Sequence, residues 1–174
     1  MKRKNTKNGF TLMELVVYIG IASLIILVLA GSIIQISRVY SRAKAYQSLS
    51  QNGNSAMRKL TQEIMAAGSI NSADSDFINT PNILALNSAG DNYRRFYVAT
   101  NSQGKNQLFL ISEETNPPLQ EQAVTSEDVN VDNFTINYDN TVPESLKISL
   151  VLSDTTAKFN IQKTYYTTVN LRNY

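Results

Sequence analysis

Apolar residues fill positions 10 to 36 almost without a break, FTLMELVVYIGIASLIILVLAGSIIQI, and no charge falls in the twenty residues from Leu15 to Ile34. At the helical rise such a run makes about 30 Å, the thickness of a bilayer's hydrocarbon core, so it predicts a membrane-spanning helix. A periodic pattern then takes over. Ile36, Tyr40, Ala43, Tyr46 and Leu49, followed by Met57, Leu60, Ile64 and Ala67, recur at steps of three or four outside residues 50 to 56. This spacing predicts that the helix continues with one apolar stripe on a polar surface. Gly53, between Asn52 and Asn54, has the setting of a turn, but it stands where the stripe wants a residue and reads rather as a site of close backbone approach within an unbroken helix. Gly68 reads as the C-terminal cap. From Phe10 to Ala67 the rod would approach about 90 Å.

Farther along, the period changes to two. RRFYVAT (94–100) and NQLFLIS (106–112) flank the turn NSQGK and predict a hairpin. Phe134, Ile136 and Tyr138 alternate with polar residues. So do Leu146, Ile148, Leu150 and Leu152, and then Phe159, Ile161, Lys163, Tyr165, Thr167, Val169 and Leu171. These predict antiparallel strands with one buried face, in a sheet that packs on the helix stripe. Residues 69–93, rich in Ser, Asn, Asp and Gly around a short ILAL run, read as a loop with at most one edge strand. The fold class expected is α+β: a leader over 1–9, a transmembrane segment over 10–36, an amphipathic continuation over 37–68, and a β domain over 69–174.

Composition narrows the chemistry. The chain of 174 residues has no cysteine and no histidine, which removes disulfides, thiolate nucleophiles, Ser-His and Cys-His arrangements and the commonest metal ligand. Net charge is +2, yet Lys2, Arg3, Lys4 and Lys7 all precede the apolar run; taking these four from the 16 cations leaves 12 against 14 acids, or −2. That balance argues against nucleic acid as a partner. Cations before the span, with a large domain after it, place the N-terminus in the cytoplasm by the positive-inside rule, although Arg38, Arg42 and Lys44 weaken the asymmetry. A basic head, an apolar core and the small-residue end Val28-Leu29-Ala30 also describe a cleavable secretory signal, but its apolar region is usually roughly 7 to 15 residues, shorter than this one.

Glu14 is the anomaly. A carboxylate at the centre of a bilayer costs roughly 2.5–3.5 kcal/mol on insertion scales, so something must compensate it. Its surroundings, a basic leader followed by GFTLMELVV at 9–17, resemble the processing signal of type IV pilins and of the pseudopilins of type II secretion. The resemblance implies a pilin-like fold and no enzymatic activity or cofactor. It implies that prepilin peptidase cuts between Gly9 and Phe10, that the new amine of Phe10 is methylated, and that Glu14 serves assembly. An ammonium freed at Phe10 of one chain would meet Glu14 of a neighbour, an attraction far stronger in low dielectric than in water. Within its own helix the same carboxylate would face the N-terminal dipole, a purely local role. The implied partners are the peptidase, other pilin or pseudopilin subunits, an assembly platform and the cytoplasmic membrane. SAMRKLTQEIMAAGSI and YYTTVNLRNY are similar to J-type minor pseudopilins and related minor pilins, which points to a low-copy tip or initiating subunit. The chain departs from many major pilins in having Gly31 where they carry proline, and in lacking a cysteine pair.

Other motifs are weaker. Asp128, Asn130, Asp132, Asn133 and Asp139 have the spacing of a calcium loop, but the sixth and twelfth places hold Asn133 and Asp139 instead of Gly and Glu. A solvated strand entry with Val129 and Val131 inward is the plainer reading, and no metal is expected. Arg94 and Arg95 beside Phe96 and Tyr97 suggest a DNA patch, as in DNA-uptake pilins, yet successive strand residues point to opposite faces. A hydrolase built on carboxylates or a Ser-Lys pair has no recognisable nucleophile setting here.

Overall fold

The computed structural model describes residues 11–88, 92–113, 120–141, 144–154 and 161–171. Among these residues a single helix, α1 (Leu12–Ala66), is followed by eight strands: β1 (Ala67–Ile70), β2 (Leu84–Ser88), β3 (Asn92–Thr100), β4 (Asn106–Glu113), β5 (Gln120–Ala123), β6 (Val129–Asp139), β7 (Ser145–Asp154) and β8 (Ile161–Asn170). The chain divides into two units, Met1–Ser41 and Arg42–Tyr174. This is the α+β architecture expected: a long N-terminal apolar helix, with the later part of α1 packed on antiparallel β-structure.

In the first unit the described part of α1 is exposed throughout. Its most apolar window has a mean hydropathy of 2.6, and none of that window is buried. Two serines that would otherwise present bare hydroxyls are satisfied within the helix: Ser23 donates to Gly20 O (2.8 Å) and Ser32 to Val28 O (2.9 Å). Such back-bonding lets a hydroxyl sit in an apolar helix without water. The helix runs unbroken through Gly31.

In the second unit the strands form two sheets instead of the one expected, in the orders β1-β2-β3-β4-β5 and β6-β7-β8, with every pairing antiparallel. The predicted hairpin is β3–β4, in register from Tyr93↔Glu113 to Thr100↔Asn106. Its turn depends on Gly104 at φ 76°, a left-handed conformation that costs glycine little. The reading of residues 69–93 as a loop with at most one edge strand is corrected. They contain the second half of β1 and all of β2, and β2 is an interior strand between β1 and β3. Leu84, Ala85 and Leu86 are all fully buried, so the alternation that marks a one-sided strand is absent there. Gly68 is corrected too: it is no helix cap but the extra residue of a β1 bulge, between Ala67↔Ser88 and Ser69↔Asn87.

A second bulge explains a change of phase visible in β6. Val129 and Val131 face inward, and so do Phe134 and Ile136, on the opposite parity. The register shift falls between Val131 and Asn133, leaving Asp132 as the unpaired residue. Its carboxylate is tied down. Oδ1 accepts from Asn130 Nδ2 (2.6 Å) and Ser153 Oγ (2.8 Å), and Oδ2 accepts from Gln162 Nε2 (2.9 Å).

One hydrophobic core joins the later part of α1 to both sheets. From α1 it takes Ala45, Leu49, Ala56, Met57, Leu60 and Ile64, with Gly53 and Glu63 also buried. The expected stripe is right from Leu49 onward and wrong before it: Ile36, Tyr40 and Tyr46 are exposed. Ala45 marks the true face: it is buried one turn before Leu49, while its neighbour Tyr46 is exposed.

Candidate functional site

The first turn of α1 carries the candidate site. Gly9 and Phe10, expected to flank the cut, lie outside the described residues. Thr11 is the N-cap of α1: its carbonyl accepts from Glu14 N (3.1 Å) and Leu15 N (3.2 Å), and its Oγ1 accepts from Glu14 N (3.3 Å). Glu14 is therefore the third helical residue, in a Thr-x-x-Glu sequence of the capping-box type. A carboxylate there is favoured by unpaired N–H groups and by the helix dipole. Leu12 and Met13 beside it are 81% and 74% exposed, so the acid stands at the end of an uncovered apolar rod. Sequence reasoning recognised the dipole but missed the cap, whose signal is Thr11 three residues before Glu14.

In the second unit, α1 is fixed to the sheets at two places. Around residues 49–53, Tyr165 of β8 lays its ring against Gly53 and donates its hydroxyl to Leu49 O (2.7 Å). There too Lys163 Nζ donates to Ser50 Oγ (3.0 Å), and Ser126 N donates to Asn52 Oδ1 (2.8 Å). Close approach at Gly53 was anticipated, but its occupant is a ring, not a backbone. The second place is Glu63, only 4% exposed, which pairs with Lys59 (2.8 Å) one turn earlier and with Arg94 of β3. A carboxylate embedded between Leu60 and Ile64 on the apolar face was the available signal for this pair.

The weaker motifs resolve locally. Asp132 pins the bulge as described. Asp139 accepts from the Thr141 hydroxyl (2.7 Å) and backbone N (3.0 Å), which hold its carboxyl below the usual range and close the turn after β6. Val129 and Val131 do point inward. Among the described residues no group of three or more Asp and Glu is placed to hold a metal ion. The arginines face opposite ways: Arg94 joins Glu63 beside the buried Phe96, while Arg95 lies over Tyr97 with Cζ 6.0 Å from the ring centroid. Tyr97 stacks on Phe109 with centroids 5.8 Å apart and donates to Glu121; desolvation first, and that carboxylate second, push its phenol up to about 12.

Comparison with protein-family models, with curated proteins and with solved structures finds no match to this chain.

Proposed function

We propose that this protein is a minor subunit of a type IV pilus or type II secretion pseudopilus, placed at the tip or in initiation. Prepilin peptidase removes residues 1–9, and Phe10 becomes the methylated N-terminus. Residues 10–36 hold the chain in the cytoplasmic membrane, with the Arg42–Tyr174 unit on the extracytoplasmic side. An assembly platform then draws the helix into a filament, where Glu14 meets the terminal ammonium of an adjacent subunit.

The observation that carries this reading is the uncovered apolar part of α1 with a carboxylate in its first turn. Lipid covers such a surface in storage, and other helices of the same kind cover it in a bundle. Only the bundle supplies a counter-ion. The cap at Thr11 favours a second reading, a permanently anchored extracytoplasmic protein in which Glu14 merely completes the helix start.

Replacing Glu14 by glutamine separates the two, because a capping box accepts Gln as well as Glu while an ion pair requires the charge. Processing of Glu14→Gln, followed by intact mass, stays complete in the native host. Its amount in sheared filaments, relative to the membrane pool, falls about tenfold or more. Equal recruitment of wild type and Glu14→Gln would falsify the pairing and leave the anchored protein.

A further inference from the structure

Sheet β6-β7-β8 has one closed edge and one open edge. At β6, Asn82 acts as a substitute strand: its N–H donates to Phe134 O (2.9 Å) and its side-chain oxygen accepts from Ile136 N. At the other side, β8 pairs with β7 over ten residues without a shift, and among the described residues no strand lies beyond it. Edge strands are commonly guarded by proline, a bulge or charges that stand in the way of a newcomer. β8 contains no proline or glycine, and its single charge, Lys163, turns back to Ser50 and to the ring of Tyr165, 5.2 Å from the centroid.

Beside this edge a groove of about 980 Å³ runs along α1, with Met57, Thr61 and Met65 on the helix side and Tyr166 and Thr167 on the strand side. Met65 is 65% exposed and Tyr166 77%, large apolar areas to leave in water. Among the described residues, Arg58 is the single charged residue lining it, and no acid lines it. Sheet, helix and charge specify the same kind of occupant.

We propose that this groove receives an extended segment of a partner protein, which adds to β8 as a further strand. Its apolar side chains face Met57 and Met65, and a carboxylate meets Arg58. Main-chain hydrogen bonds to an open edge supply affinity in such contacts, and side-chain pockets supply the choice of partner. The surface belongs to the Arg42–Tyr174 unit and does not depend on what Glu14 does.

The test uses the full chain in detergent micelles and a labelled peptide, acetyl-Thr-Val-Thr-Glu-Thr-Val-Thr-amide, whose two valines and glutamate share one face of the strand, titrated to about 1 mM, the range of a small unoptimised contact. Hydrogen exchange of β8 amides slows on binding while that of β6 does not. The analogue with Lys for Glu binds about tenfold more weakly, and Arg58→Glu reverses that preference. A peptide N-methylated at alternate amides fails to bind. The proposal is overturned if the acidic peptide leaves β8 exchange unchanged, if both charge forms bind alike, or if the N-methylated peptide binds as well. Protection of β8 by self-association of the protein alone would assign the groove to a second copy and overturn it equally.

Discussion

Replacing Gly53 by alanine adds one methyl group where the ring of Tyr165 already lies. An added Cβ would stand 2.6 Å from Cε1 and nearer still to Cζ and Cε2, against about 3.5–4.0 Å for carbon atoms in contact. The ring must move, and it is not free to do so. Tyr165 is 9% exposed and its hydroxyl is committed to Leu49 O. Alanine gains about 0.5–1 kcal/mol over glycine in a helix interior. Against that, crowding a packed site costs typically about 1–3 kcal/mol, and the lost hydrogen bond about 1. The net is a loss of about 1–3 kcal/mol. At about 2–4 °C per kcal/mol for a chain of this size, thermal unfolding in micelles should fall by about 2–12 °C. In a Tyr165→Ala background the same change at Gly53 should be neutral or mildly stabilising, since the ring is gone. A higher melting temperature for Gly53→Ala in the otherwise unchanged protein would show that the ring yields without cost, and the account of this contact would fail.

Asn82→Ala strips the acceptor from Ile136 N at a buried sheet edge and should cost about 1–3 kcal/mol in chemical denaturation; an unchanged midpoint would mean that the edge needs no closing. Glu63→Ala leaves Arg94 facing the core without its partner. Because Lys59 and Arg94 are 38% and 26% exposed, the loss should fall below the roughly 3–5 kcal/mol of a fully buried pair, and Glu63→Met combined with Arg94→Met should recover most of it. For Tyr97 the folded phenol is raised from 10 to about 12, so the folded state resists ionisation. Its contribution is complete below pH 10 and is lost as pH rises from 10 to about 12; the late phenolate absorbance step should vanish in Tyr97→Phe, and its persistence would reassign it.

The strands that could be read from the sequence are those with one buried face and a partner of similar length, namely β3, β4, β6, β7 and β8. Those that could not be read fail for separate reasons. β2 is buried at three successive residues and is only five long, so it shows neither alternation nor a long apolar run. β5, with the sequence Gln-Glu-Gln-Ala, is exposed throughout and exists because β4 offers it an edge. The helix was legible as a helix, but its face was misjudged before Leu49: bulky Tyr40 and Tyr46 attract the eye, whereas Ala45 makes the contact. At the candidate site, the charge at Glu14 and the length of the span were open to inspection from the start. The buried pair of Glu63 with Arg94 was not, because it joins residues 31 positions apart whose proximity only the folded unit reveals.

The attachments at Leu49, Ser50, Asn52 and Gly53 lie within about a turn and a half of helix and come from two different segments, β8 and the chain before β6. Grips so close together share a tug along the axis instead of breaking one after another. With Glu63 held again farther down, the rod cannot spin or creep through its socket without releasing several bonds at once. The later part of α1 thus behaves as a keyed shaft, and any twist or pull that reaches residue 49 is handed directly to the β-structure.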